Sequence, residues 1–146
     1  MEIYNYQKAN VEATPERVFE FVNDDAKLQE IFSILDNIEY NTTEKRNEGT
    51  KFRTTLNVKG KTYRFRSEII EYQSDRKIAV RSRLKQGGVL THFTVVPNNG
   101  GVDISVRSKL RNSKMGAKVL VTTMKPVVNI VMNRELNKLI GHMEKK

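Results

Sequence analysis

The chain has no cysteine and no tryptophan, and only three prolines and two histidines among its 146 residues. Without cysteine there can be no disulfide scaffold, no thiol nucleophile and no thiolate-held zinc. The histidines, His92 and His142, lie far apart in sequence and offer neither a His-x-x-x-His metal pair nor a His–His acid/base pair. No Ser/His/Asp spacing and no glycine-rich phosphate loop occurs. No two carboxylates can be placed side by side for acid/base work. The sequence therefore assigns no catalytic residue, no metal and no cofactor. Long apolar runs are also missing: the most apolar stretch, residues 126–132, falls far short of the ~20 residues of a membrane span. The first ten residues, MEIYNYQKAN, lack the apolar centre of a signal peptide, so a cytoplasmic location is expected.

What is present is core-forming material: 38% hydrophobic against 29% charged residues, a balance that excludes a disordered chain. The length fits one domain over 1–146. The net charge of +9 is unevenly spread, with −6 on residues 1–50 and +15 on residues 51–146. Such asymmetry raises an anionic partner, either nucleic acid or a membrane surface, against the plainer reading of a solvated face.

Residues 3–13 alternate like a strand, although Tyr4 and Tyr6 are out of phase with Ala9 and Val11, so the inward face stays open. Thr14-Pro15-Glu16 then opens a helix with an N-cap, a proline suited to the first turn and an acid at the positive end of the dipole. Val18, Phe21 and Val22 make its apolar stripe. Asn23-Asp24-Asp25 ends it and caps a second short helix, whose buried side is Leu28, Ile31 and Phe32.

Six strands are expected next. They cover residues 34–43, 50–58, 61–72, 77–84, 89–96 and 102–110, separated by turn signals at Lys59-Gly60, Ser74-Asp75, Gln86-Gly87-Gly88 and Asn98-Asn99-Gly100-Gly101. Most alternate cleanly, with Phe52, Leu56, Tyr63, Phe65, Val80 and Ser82 on one phase and Arg53, Arg64, Arg66, Arg81 and Arg83 on the other. Residues 89–96 are too uniformly apolar for a phase to be read. From residue 114 onward the apolar period is helical, through Leu120, Met124, Val127, Val128, Val131, Leu136, Leu139, Ile140 and Met143. Pro126 should kink or restart that helix. The 21 residues from Pro126 to the end span about 30 Å, the width of the sheet. Hairpin spacing implies antiparallel pairing, and segregated helices and strands imply an α+β fold.

This order resembles the START-like, or SRPBCC, superfamily, which includes polyketide cyclases, birch-pollen-allergen-like proteins and coenzyme Q-binding relatives. The resemblance is carried by Val11-Glu12-Ala13-Thr14-Pro15-Glu16-Arg17-Val18-Phe19-Glu20-Phe21-Val22-Asn23-Asp24, by Glu48-Gly49-Thr50-Lys51-Phe52-Arg53, and by the closing amphipathic helix with its Leu136, Leu139-Ile140 and Met143-Glu144. It covers essentially the whole chain. One departure is Phe32-Ser33-Ile34, where the family often carries Trp and Pro. The resemblance implies a helix-grip fold: a curved seven-stranded antiparallel sheet wrapped around a long C-terminal helix, with two short helices after the first strand. It also implies a cavity between sheet and helix that holds a small hydrophobic or amphipathic molecule.

The candidate lining is Phe52, Leu56, Tyr63, Phe65, Val80, Ser82, Phe93, Ser108, Met124, Val128 and Met132; each is core or cavity wall. Tyr63, Ser67, Ser82 and Ser108 put hydroxyls on the apolar phase, where burial requires a hydrogen-bond partner: a backbone carbonyl, water or a ligand. The expected role is a carrier or sensor of a lipid, quinone or polyketide-like molecule. A cyclase/aromatase-type enzyme using Tyr63, Ser82 or His92 is the alternative, and a quinone or lipid chaperone docking on anionic membrane through its basic sheet face is another. Nucleic acid is disfavoured, because the basic phase lacks interleaved aromatics for base stacking.

Overall fold

The N-terminal helix forms where its caps place it. In the computed structural model, Thr14 accepts from the Arg17 N–H at 3.1 Å, with Pro15 at the helix start. Asp24 likewise caps the second helix through the Lys27 N–H. The structure describes residues 1–41, 46–85, 87–111 and 115–145, and for 115–124 the backbone alone. The elements run β1 (Glu2–Val11), α1 (Pro15–Val22), α2 (Asp25–Ile31), β2 (Leu35–Tyr40), β3 (Lys51–Val58), β4 (Lys61–Gln73), β5 (Lys77–Leu84), β6 (Gly87–Asn98), β7 (Gly101–Arg111) and α3 (Met115–Glu144). The strands form one antiparallel sheet in the order β1-β7-β6-β5-β4-β3-β2, curved around α3 as in the expected helix-grip α+β fold.

Two irregularities explain what alternation alone could not. Asn10 adopts φ 57°, and the β1–β7 register shifts between Lys8 and Val11. The bulge flips the phase, so Tyr4 and Tyr6 before it and Val11 after it are all buried while Ala9 is exposed, which answers the open question of β1's inner face. Asp103 holds the bulge by accepting from the Asn10 N–H at 2.9 Å. Gly101 lies against it: a Cβ there would stand 2.5 Å from the Val11 carbonyl oxygen. The second shift falls between Ile69 and Glu71 in β4. It leaves Ile70 exposed and brings Tyr72 inward, so the phase read through residues 61–72 holds only up to Ile69.

Asn99-Gly100 (φ 51° and 86°) makes the β6–β7 hairpin with both central residues left-handed, as the sequence predicts. In β6, Val89 and Val95 are buried and Phe93 packs on the core, which sets the phase that the sequence left open.

Helix α3 is one continuous helix, so Pro126 does not restart it. A proline removes a single N–H from the ladder, and a helix this long carries the gap. Val127 and Ile130 are exposed, correcting the expectation that Val127 faces the sheet; Val131, Leu136, Leu139, Ile140 and Met143 are buried. Residues 42–43, Gln86 and the side chains of Leu120 and Met124 lie outside the described residues.

Three ties fix α3. Arg17 donates to the Met143 and Lys145 carbonyls, each at 2.6 Å, and so caps the helix C-terminus from α1. The Tyr4 and Tyr6 hydroxyls donate to Asn133 and Asn137 at 2.6 and 2.7 Å. Glu135, 1% exposed, accepts from the Ser33 N–H and hydroxyl and pairs with Lys138 at 2.9 Å.

Candidate ligand-binding wall

Strand register arranges the inner sheet face as transverse rows. One runs Tyr72, Ile78, Phe93, Val106, Tyr6. The next runs Ile69, Val80, Thr91, Ser108, Tyr4, and a third Phe52, Ser67, Ser82, Val89, Leu110. Beyond these, Thr54 stands opposite Phe65 and Leu56 opposite Tyr63, toward the β3–β4 hairpin.

Burial changes along this series. At the α1 end the interior is filled by Phe19, Val11, Val18, Val95, Val102 and Met143, all 2% exposed or less. Phe19 stacks edge-on with Tyr72 and tilted against Phe93, with centroids 6.2 and 6.1 Å away. The third row keeps Ser67, Val89 and Leu110 buried, and Thr54 beyond it is buried too. On β3 and β4 toward the hairpin, however, Phe52, Leu56 and Phe65 are half-buried and Tyr63 is 38% exposed; Val80, in the second row, is half-buried. Val128, Met132 and Ser108 are also half-buried, and Ser82 is buried. Phe52, Val80, Phe93 and Met132 pack against the core and so have a structural role whatever else they do. Met124's side chain is outside the described residues.

The inner hydroxyls are paired with one another. Ser67 and Ser82 are 2.7 Å apart across β4–β5, and Thr91 and Ser108 2.8 Å apart across β6–β7. Each pair spends one O–H on its partner and keeps the other for a further acceptor. Burial, with a smaller push from Tyr6, raises the Tyr4 phenol to about 12, so it stays a donor to Asn133 at all ordinary pH.

His92 belongs to the other face. It alternates with Phe93 and stands opposite Ala79 and Arg107. Desolvation and the charges of Lys77, Lys109 and Arg111, opposed by Glu71, hold its pKa below the usual histidine value. It therefore cannot shuttle protons to a molecule inside the sheet, as the enzyme alternative supposed. Among the described residues no cluster of three His, Asp or Glu side chains could hold a metal. No helix there is long and apolar enough to cross a membrane.

Sequence reasoning did not single out Glu135 or Phe19. Glu135 had a readable signal: it lies four residues from Val131 and from Leu139, in the helix's buried stripe. An open concavity of about 690 Å³ sits at the opposite end from the hairpin, where Arg17, the Asn98–Gly101 turn and the end of α3 meet, and none of the expected lining residues reaches it.

The profile of the family described as "Polyketide cyclase / dehydrase and lipid transport" matches residues 6–144. The chain belongs to that family. No curated protein matches it. Solved structures show the same fold at low identity. The hypothetical protein jhp0584 from Helicobacter pylori shares 15% identity at a TM-score of 0.76, over 95% of this chain and 86% of the other. Ara h 8.0201 shares 13% at 0.69, over 96% and 97%. The di-domain ARO/CYC StfQ from the steffimycin biosynthetic pathway shares 13% at 0.73, over 96% of this chain and 50% of that longer one.

Proposed function

We propose that this family member binds one small hydrophobic or amphipathic molecule between the inner sheet face and α3, as a carrier or sensor that leaves its ligand unchanged. The observation that carries the reading is the uneven cover of the wall: the apolar interior beside α1 is sealed, whereas on β3 and β4 near their hairpin Phe52, Leu56 and Phe65 are half-buried and Tyr63 is exposed. Burying apolar ligand surface there is worth about 25 cal/mol per Å². The Ser67–Ser82 pair, with one O–H to spare, supplies an orienting polar group of the kind such sites use sparingly. A cyclase-type enzyme is the weaker reading, because His92 faces outward and only Tyr63 and Ser82 remain of its proposed proton movers.

Native mass spectrometry of the purified protein tests this reading. A lipid, quinone or other apolar molecule bound one per chain supports it, and protein that stays bare after incubation with such molecules contradicts it. Turnover of a polyketide mimic that is lost on Tyr63→Phe would replace carriage with catalysis.

A further inference from the structure

Several cations of the outer sheet face are paired with carboxylates. Arg81 meets Glu68 at 3.0 Å, Lys77 meets Glu71 at 3.2 Å and Arg107 meets Glu2 at 3.0 Å. Arg53, Arg64, Arg66 and Arg83 have no hydrogen bond or ion pair among the described residues. Register sets Arg53 opposite Arg66 and Arg66 opposite Arg83. Three arginines thus stand abreast on adjacent strands, and like charges directly opposite one another destabilise a sheet. The carboxylates nearby are engaged: Glu39, opposite Arg53, accepts from Asn37 at 3.0 Å, and Glu68 is held by Arg81. The four arginines, with Phe65, line an open groove of about 310 Å³.

The geometry points to an anion site in this groove for a compact, soluble oligophosphate, an anion with at least two linked phosphate groups. Guanidinium groups match phosphate oxygens two at a time, which lysines do not. The row covers two strand spacings, about 10 Å, wider than a single phosphate and suited to a linked chain of them. None of the outward positions of β3, β4 and β5 is aromatic, and Phe65, the one aromatic residue of the lining, alternates onto the inner phase opposite Thr54, so the outward row offers no ring for a nucleobase to stack on. A bilayer would draw on cations spread over the whole face; outside this groove Arg81, Lys77 and Arg107 already have partners, which leaves Lys51 and Lys109 as separate single charges, whereas the four arginines are gathered in one place. The site lies on the opposite side of the sheet from the apolar wall and stands or falls independently of it.

Calorimetric titration with inorganic tripolyphosphate and with orthophosphate, at constant ionic strength, tests the site. One tripolyphosphate should bind per chain, at least tenfold more tightly than orthophosphate. Arg66→Gln should weaken it at least tenfold. Arg107→Gln, on the same face but outside the groove, should change it less than twofold. If Arg66→Gln fails to fold, Arg83→Gln serves in its place. The site is overturned if tripolyphosphate does not bind, if the groove and Arg107 variants weaken it equally, or if only phosphatidylglycerol vesicles are bound, which would make the occupant a bilayer.

Discussion

Glu135 of α3 grips Ser33 twice, accepting from its N–H at 3.1 Å and from its hydroxyl at 2.7 Å. Ser33 follows α2, at the point where the chain turns into β2. A buried carboxylate so placed locks the helical rod to the segment that leads into the far sheet edge, and Lys138 at 2.9 Å balances its charge. Burial alone pushes the carboxyl up, but the Ser33 and Lys138 hydrogen bonds and the Lys138 charge together hold its pKa below the usual range. The unfolded chain then binds the proton more readily than the folded one. The stabilisation is complete above the unfolded value of about 4.3 and is lost as pH falls through the folded one. Glu135→Gln should cost about 1–3 kcal/mol at pH 7, and its stability should vary less with pH below about 5 than that of the parent chain. Urea melts from pH 3 to 7 measure both; an unchanged acid limb would contradict the role given to this carboxylate.

Arg17 closes the C-terminal end of α3 by donating to the last carbonyls of the helix. Arg17→Ala should destabilise the protein by about 1–2 kcal/mol. Amide exchange should quicken in the last turn of α3, residues 140–144, and stay unchanged in β6 and β7. Uniform acceleration over the whole molecule would show that the cap is not local.

The Ser67–Ser82 pair should behave as a unit. Either single alanine leaves a buried hydroxyl without its partner and should cost about 1 kcal/mol or more, whereas the double replacement should cost clearly less than the two singles added together. Additive costs from a double-mutant cycle in thermal or urea unfolding would show that the two hydroxyls do not depend on each other.

Arg66 stands between Arg53 and Arg83 with no partner among the described residues. Arg66→Gln should therefore raise Tm by a few degrees in 20 mM salt, equivalent to about 0.5 kcal/mol or more. The gain should shrink toward zero in 0.5 M salt, where the screening length falls well below 10 Å. A gain that is independent of salt would mean that charge repulsion is not its source.

Much of this architecture was readable because turns and alternation agree. Thr14-Pro15, Lys59-Gly60 and Asn99-Gly100 punctuate the chain where elements begin and end, and the strand phases of β3 and β5 are undisturbed. The places that were not readable have one physical cause each. The bulge at Asn10 is held by Asp103, 93 residues away in sequence, so no local pattern announces it. The β4 bulge flips the phase for Tyr72 alone among the aromatics of that strand. The spacing of Glu135 puts it in the buried stripe with Val131 and Leu139, but the Ser33 that satisfies it lies 102 residues away in sequence, so its role is not announced locally. For the wall, alternation selected the inner face correctly, but how far each side chain is covered depends on the course of α3 and on side-chain packing, which alternation does not encode. His92 was set among proton movers because the phase of β6 is silent in a uniformly apolar strand.

The central claim is that the half-covered end of the inner wall receives an apolar molecule. Fluorescence titration with Nile red, a neutral dye that the basic outer face cannot attract by charge, tests it most directly. The account predicts saturable, blue-shifted emission at one dye per chain, weakened at least tenfold by Leu56→Arg in a variant whose circular dichroism shows it folded. Emission that never saturates, or equal affinity in the parent chain and the Leu56→Arg variant, would contradict it.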